Sequence, residues 1–417
     1  MRVVFVLSLE VNPKIGGVER VTHVLSEYFM NKGIKIDFLY FHIKKLSFPQ
    51  YNKNAGSYFL PDTVKSNSAE NINFLNKLIL ENEVDIIINQ SSIADSVSEL
   101  IAEAVKNTRC KIISILHGTP FTFKQFYGQY KQALLTLYQN REKKDIKSII
   151  KRRLAPAFII KEYINSYKKY FKISVQSSDR FVLLSDAYIP LLDKTLNIKR
   201  ESKIIAVPNP SSFDEEYAQD KIEDKKKQVI YVGRLDYNQK RVDRLLTAWS
   251  LVENNFPEWQ LIIVGGSLNK ENRKNDDYQV KEQDRLEQLA TKLNLNKVTF
   301  AGNTDPVPYY KESSVICLTS NYEGFPMVLI EAIQFGVVPV VFGSFEAVHD
   351  LIETNKNGMI ATPFNTAEFD AMLSDVMIND TKRNAMAVEA INTSKKYTLN
   401  VIGNQWIKIF NEITQNN

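Results

Sequence analysis

Residues 2–41 read RVVFVLSLEVNPKIGGVERVTHVLSEYFMNKGIKIDFLYF. Arg2 to Leu9 is a short apolar run, a loop carries Gly16 and Gly17, and Val18 to Asn31 spaces its apolar side chains as one face of a helix does. Gly33 is suited to the left-handed residue that closes a helix, and Ile34 to Phe41 is apolar again. Strand, helix, strand in that order predicts two parallel strands joined by a covering helix.

The same alternation continues. Val84 to Asn89, Lys111 to Leu116, Phe181 to Ser185 and Ile204 to Val207 are further strand patterns, with helical patterns such as Ile93 to Asn107 between them. A parallel sheet covered on both faces is expected. After Val207-Pro208-Asn209-Pro210 the chain becomes charged and turn-rich through Asp214, Glu215, Glu216 and Lys225 to Lys227, which places a domain boundary near 208. A second alternation follows: Val229 to Val232, a helix around Val242 to Asn254, Leu261 to Val264, a helix around Glu282 to Leu293, Val298 to Ala301, Val315 to Thr319 and Val337 to Phe342. Asn269 to Gln279 reads as a surface loop and Thr398 to Ile413 as a final helix. Residues 1–208 and 209–398 are thus expected to be two doubly wound α/β domains, with 399–417 a terminal helix packing back toward the first.

Length agrees with this division, since 417 residues suffice for two cores. A hydrophobic content of 44% and a charged content of 24% are those of a protein that folds in water. Cys110 and Cys317 both sit in apolar strand-like runs, so they are read as reduced core residues. Met1 to Leu9 lacks the long apolar core and cleavage site of a signal peptide, and no apolar run nears the ~20 residues that span a bilayer. A cytoplasmic protein is expected, placed peripherally on the inner face of the membrane for the following reason. Between Arg141 and Lys172 eleven basic residues stand against three acids, a local +8 within an overall +5. A patch so concentrated wants an anionic partner.

Just before it, Phe123, Phe126, Tyr127, Tyr130, Leu134 and Tyr138 recur at helical spacing, and Ile146, Ile149, Ile150 and Leu154 interleave with the basic run. Two readings stay open for 121–172: a helical hairpin packed on its own domain, or an insertion facing acceptor and membrane. At about 1 kcal/mol per basic residue near an anionic surface, a few such contacts give reversible docking. No nucleic-acid-binding motif accompanies the patch.

The segment Glu323-Gly324-Phe325-Pro326-Met327-Val328-Leu329-Ile330-Glu331 follows an apolar strand and opens a helix. Pro326 suits the first helical turn, and the free N–H groups beyond it favour phosphate. The helix is apolar on nearly all sides and therefore buried, yet Glu331 lies in its middle, where a carboxylate is costly unless its oxygens accept hydrogen bonds. A ribose diol would satisfy both oxygens through charge-assisted bonds of roughly 1.5–3 kcal/mol each; an arginine partner would serve as well. Glu323, in the preceding loop, could accept sugar hydroxyls or cap the helix. Arg234 and Lys240 follow a strand end, where open α/β sheets bind ligands, although a basic pair can equally be surface charge. His117 comes directly after Leu116 and before Gly118, a ligand position or a capping histidine. His23, His42 and His349 are read as structural.

Asn321 to Gly336 resembles the Glu-x7-Glu signature of family 4 retaining glycosyltransferases. Gly233-Arg234-Leu235 with Lys240 is similar to that family's Gly-Arg-Leu…Lys element, Gly16-Gly17-Val18-Glu19-Arg20 to its N-terminal glycine loop, and His117-Gly118 to its His-Gly. The resemblance spans most of the chain in the family's order. It implies the GT-B fold, two Rossmann-like domains facing across a cleft, in an enzyme that moves a sugar from a nucleotide diphosphate sugar, here a UDP-sugar, with retention. It implies that Glu331 holds the donor ribose, Glu323 the transferred sugar, and Arg234 and Lys240 the diphosphate. Gly17, with Gly16, would approach the phosphates, and His117 would lie beside the sugar. Gly233, Gly324, Phe325, Pro326, Met327 and Val328 complete the implied donor site. The implied acceptor is a saccharide or polyprenyl-diphosphate-linked saccharide of the kind used in bacterial surface-polysaccharide assembly.

One departure lies between Ser344 and Asp350, where Phe345 and Glu346 stand in place of the family's glycine-rich turn and Asp350 in place of its Glu. No Asp-x-Asp triplet occurs, so no metal or other cofactor is expected; cationic side chains and helix N-termini would carry the electrostatic work. A nicotinamide oxidoreductase is disfavoured, because Gly-x-Gly-x-x-Gly is missing and Asp37 falls inside its strand. A sugar-nucleotide epimerase on the same fold would not explain the Glu323/Glu331 pair, and a non-catalytic partner subunit would not need every donor position intact.

Overall fold

The computed structural model describes residues 1–13, 16–41, 54–92, 96–120, 156–196, 198, 201–213, 217–266 and 277–415. Two compact units form: Met1–Asn12, Ser26–Val207 and Trp406–Asn417 make the first, and Pro13–Leu25 with Pro208–Gln405 the second. The division is therefore more than one cut near 208, because a short segment beginning at Pro13 groups with the second unit.

The first unit carries strands β1 (Arg2–Leu7), β2 (Lys35–Tyr40), β3 (Gly56–Phe59), β4 (Ile86–Asn89), β5 (Lys111–Leu116), β6 (Arg180–Leu183) and β7 (Ile204–Ala206). They lie in the order β3-β2-β1-β4-β5-β6-β7, all parallel. Helices α1 (Gly17–Asn31), α2 (Ala69–Glu81), α3 (Val97–Val105), α4 (Pro156–Ser177) and α5 (Ile189–Leu196) connect them. In β1 and β2 every residue after the first is buried, the continuous apolar reading of a sheet covered on both faces. Cys110 is buried and free.

The second unit repeats the plan with β8 (Lys226–Val232), β9 (Gln260–Val264), β10 (Val298–Gly302), β11 (Ser313–Leu318), β12 (Val338–Phe342) and β13 (Met359–Ala361), in the parallel order β10-β9-β8-β11-β12-β13. Its helices are α6 (Val242–Val252), α7 (Asp277–Lys292), α8 (Val307–Glu312), α9 (Met327–Gln334), α10 (Val348–Leu351), α11 (Thr366–Ile378), α12 (Asp380–Ser394) and α13 (Leu399–Gln415). The end of α13 belongs to the first unit, where Phe410 meets Phe29 edge-on at 5.1 Å. Cys317 in β11 is buried and free.

Each sheet reverses its strand order once, between β1 and β4 and between β8 and β11. Such reversals open a crevice at the carboxyl ends of the strands, and the second is where the loops of Arg234, Lys240 and Glu323 meet.

Several expected elements need correction. Lys226 and Lys227 begin β8 instead of ending a linker, and Asp277 to Gln279 begin α7 instead of closing a loop. Strands β3 and β13 and helices α2, α5, α8, α10, α11 and α12 had no counterpart in the sequence reading. The aromatic stripe from Phe121 to Tyr138, the interleaved Ile146 to Leu154, His42, and the basic residues Arg141 to Arg153 lie outside the described residues. Of that patch, Lys161, Lys169 and Lys172 on α4 are exposed. No helix among the described residues is long and apolar enough to cross a membrane.

Candidate functional site

In the second unit, β8 ends at Val232 and passes into Gly233, whose φ of +147° is one that side-chain-bearing residues avoid. Gly265, after β9, comes so close that a Cβ on it would lie 1.8 Å from the Gly233 carbonyl oxygen. These two glycines let neighbouring strand ends turn against each other. The buried Tyr231 hydroxyl donates to the Arg234 carbonyl at 2.7 Å, which fixes the first residue of the following loop. Burial raises the Tyr231 phenol well above its ordinary value, and the Glu323 charge adds to the rise, so it stays a donor.

The Asp236 carboxylate then accepts from the Asn238 and Gln239 backbone at 2.7 and 3.0 Å, and its carbonyl from Lys240 and Arg241 at 2.8 and 3.0 Å. An Asx turn of this kind is a local device of short acidic side chains. It aims two cations differently. Arg234 is exposed, touching only Gln239 Oε1 at 3.5 Å among the described residues. Lys240 turns inward, and its Nζ donates to Glu323 Oε1 at 2.7 Å.

The loop after β11 meets this one across the β8–β11 reversal. Thr319 Oγ1 donates to the Arg241 carbonyl at 2.8 Å, Asn321 N to that of Gln239 at 2.7 Å, and Asn321 Nδ2 to that of Asn238 at 2.7 Å. Glu323 is buried here, and besides Lys240 it accepts from Ser320 Oγ at 2.6 Å and from Gln239 Nε2 at 3.3 Å. Gly324 and the buried Phe325 lead on to Pro326, which is the cap residue of α9 and precedes it instead of lying within its first turn. Pro326 provides no side-chain cap to α9, and the first N–H groups of the helix, from Met327 and Val328, lie at its positive end.

The start of α1 lies beside it in the same unit. A Cβ on Gly17 would come within 3.8 Å of Met327 Cγ, so two helix N-termini converge on one place, with the half-buried Gly16 just ahead of the first. The Gly17 side is not crowded; the absence of a side chain there leaves backbone approachable.

Glu331, in the middle of α9, is fully buried. Its Oε1 accepts from Arg20 Nη1 at 3.0 Å and its Oε2 from Tyr310 Oη at 3.0 Å. The arginine partner weighed from the sequence is therefore present, supplied by the first turn of α1. Burial alone would pull the Arg20 guanidinium down, but the Glu331 charge and hydrogen bond outweigh it and leave Arg20 above its ordinary value. Tyr310 is raised well above its own by burial and then by Glu331, and it is stacked on Phe335 at 5.9 Å. Lys225 holds α8 in place by donating from Nζ to the carbonyls of Tyr310, Lys311 and Ser313 at 2.9, 3.2 and 3.0 Å, as cations do at helix C-termini.

In the first unit, His117 follows β5, and its Nε2 is hydrogen-bonded to Oε1 of the buried Gln90, which follows β4. Burial pushes His117 down to about 4, and the ring is neutral at ordinary pH. In the altered turn, Ser344 Oγ donates to the Ser320 carbonyl at 2.7 Å, tying 344 to the Glu323 loop.

The structure thus gathers Gly16, Gly17, Gly233, Arg234, Lys240, Glu323 to Val328 and Glu331 within one unit, and places His117 at the β4–β5 edge of the other. Sequence reasoning missed Arg20, Gln90, Gln239, Gly265, Tyr310 and Ser320. Arg20 stood inside a quoted motif; the others carried no spacing signal.

Comparison with known proteins gives consistent findings. Residues 15–212 match the model described as Glycosyltransferase Family 4, and residues 212–393 the model described as Glycosyl transferases group 1. Over 287 residues the chain is 29% identical to an uncharacterized glycosyltransferase of Haemophilus influenzae, covering 68% of this chain and 71% of that one. It is 26% identical to the Campylobacter jejuni GalNAc-alpha-(1->4)-GalNAc-alpha-(1->3)-diNAcBac-PP-undecaprenol alpha-1,4-N-acetyl-D-galactosaminyltransferase, covering 53% of this chain and 58% of that relative, little over half its length. Among solved structures, Anabaena HepE in complex with UDP is similar in fold, with a TM-score of 0.71 at 17% identity over 99% of this chain and 100% of that one.

Proposed function

The chain belongs to the family 4 glycosyltransferases, of the GT-B fold, and on that premise we propose that it transfers a hexosyl group from a UDP-sugar to a saccharide or lipid-linked saccharide, retaining the anomeric configuration without a metal ion. The observation that carries this reading is the Lys240–Glu323 ion pair, with Glu323 four residues before the start of α9, where Pro326 offers no side-chain cap. A cation and a helix N-terminus there suit a diphosphate, whose negative charge grows as the glycosidic bond to it breaks.

The exposed Arg234 supplies a second cation, the N-terminus of α1 further donors, and Glu331 a ribose partner. Glu323 has its oxygens held by Lys240, Ser320 and Gln239, the arrangement of an oriented acceptor for sugar hydroxyls instead of a free nucleophile. The bond from the anomeric carbon to the phosphate oxygen breaks, a bond from the acceptor oxygen forms on the same face, and the acceptor's proton passes to the departing phosphate. HepE carries UDP in its own structure, and the Campylobacter jejuni relative is named for an undecaprenol-linked acceptor, which supports both halves of the proposal.

The local +8 of Arg141 to Lys172 supports docking of this protein on an anionic, inner membrane surface where a polyprenyl-linked acceptor would lie. The test is turnover of a panel of sugar nucleotides with and without EDTA, with the product's anomeric configuration read by NMR. Transfer from a UDP-sugar, unaffected by EDTA and with retention, is expected. Loss with EDTA and recovery with Mn²⁺ would overturn metal independence, and an inverted product the stereochemistry.

A further inference from the structure

Glu331 has no exposed surface, so a ligand can reach its carboxylate only if one of the groups covering it withdraws. Among the described residues two side chains hold it. Tyr310 is itself fully buried and packed against Phe335 and Phe213, with its helix braced by Lys225. Arg20 is different: its side chain is 31% exposed, it grips Glu331 through Nη1 alone, and among the described residues its side chain makes one other hydrogen bond, from Nε to the Pro13 carbonyl at 3.2 Å. Its second terminal nitrogen has no hydrogen-bond partner among the described residues.

The position of Arg20 decides where it would go. It lies in the first turn of α1, with its backbone N–H donating to the Gly16 carbonyl at 3.0 Å, and that turn stands beside the start of α9. An arginine released from Glu331 at this point remains next to the two helix N-termini that suit a diphosphate. A guanidinium meets phosphate oxygens as readily as carboxylate oxygens, through the same paired N–H groups.

We propose that Arg20 is a diphosphate-binding residue reached by exchange: in the empty protein it covers Glu331, and on donor binding it yields that carboxylate to the ribose diol and turns to the diphosphate. The proposal rests on the assignment of Glu331 to the ribose. Occupation of each subsite then supports the other, because the ribose uncovers the cation that the diphosphate needs. A nucleoside without phosphates has to displace Arg20 with nothing to receive it.

The experiment compares UDP and uridine binding by calorimetry in the wild type, Arg20→Met, Arg20→Lys and Glu331→Ala, with folding checked by circular dichroism, and determines a crystal structure of the wild type with UDP. Arg20→Met should weaken UDP by about tenfold or more while leaving uridine unchanged or tighter, and Arg20→Lys should recover part of the UDP loss. Equal weakening of UDP and uridine in Arg20→Met, or no change in either, overturns the exchange and leaves Arg20 a structural partner. Unchanged binding of both ligands in a folded Glu331→Ala overturns the ribose assignment itself, a separate failure. Should Arg20→Met not fold, the wild-type complex decides: Arg20 on the diphosphate supports the exchange, and Arg20 still on Glu331 overturns it.

Discussion

Lys240 and Glu323 form an ion pair at 2.7 Å with 14% and 5% of their side chains exposed, whereas Arg234, six residues earlier, stands in solvent. Two cations assigned to one diphosphate therefore have different structural weight. Removing one member of a buried pair strands the other, typically at about 3–5 kcal/mol, while an exposed substitution stays within about 0.5 kcal/mol. Lys240→Ala should accordingly lower both stability and kcat, and Arg234→Ala should lower kcat by roughly tenfold or more with an unchanged urea midpoint. Equal destabilisation by the two would contradict the separation.

The Gly233–Gly265 contact leaves no room for a side chain. Gly265→Ala places a methyl against the Gly233 carbonyl in a backbone conformation that alanine resists, and a loss of about 3 kcal/mol or more is expected in chemical denaturation. A fully stable Gly265→Ala protein would show that the two strand ends are not packed as described.

Tyr310→Phe removes one hydrogen bond from a carboxylate that water does not reach. The stranded oxygen should cost about 1–3 kcal/mol, read as a lower melting temperature, and UDP affinity should fall with it. An unaltered melting temperature would mean that Glu331 is satisfied by other groups.

His117 supplies a pH dependence of known sign. Its folded value of about 4 lies below the ordinary 6.5, so the unfolded chain takes up a proton in that window that the folded chain does not. Stability should decline as the pH falls through this range, and His117→Gln should flatten that part of the decline. The same shift implies no limb from His117 near 6.5 in the activity profile. A limb there that disappears in His117→Gln would contradict the neutral ring.

Most strands that were legible in the sequence are buried ones: β1, β2, β4, β5, β9, β11 and β12 announce themselves through runs that are largely buried and apolar, whereas β10 was read from Val298 to Ala301 although none of its residues is buried. β3 was invisible: Gly-Ser-Tyr-Phe alternates partly exposed residues on a sheet edge, and β13 is only three residues long. α2 and α11 begin at Ser68 and Asn365, whose side chains accept from Asn71 N and Glu368 N, local capping signals too short to stand out from loop composition. The loops after β8 and β11 were found through motif residues, but their mutual bonds through Thr319 and Asn321 join positions about 80 apart in sequence, which no local pattern encodes. Glu331 shows the same limit. Its burial could be inferred from the apolar helix around it, while the choice between a ribose and an arginine depended on α1, 311 residues away.

The central claim is that a nucleotide diphosphate binds where α1 and α9 begin. Hydrogen–deuterium exchange with and without saturating UDP tests it most directly, because the amides of the first helical turns have no partner within the helix. Binding at this place predicts slowed exchange at Gly17 to Glu19 and at Met327 and Val328, larger with UDP than with uridine. Saturation by UDP with unchanged exchange at both segments, or no binding of UDP at all, would contradict it.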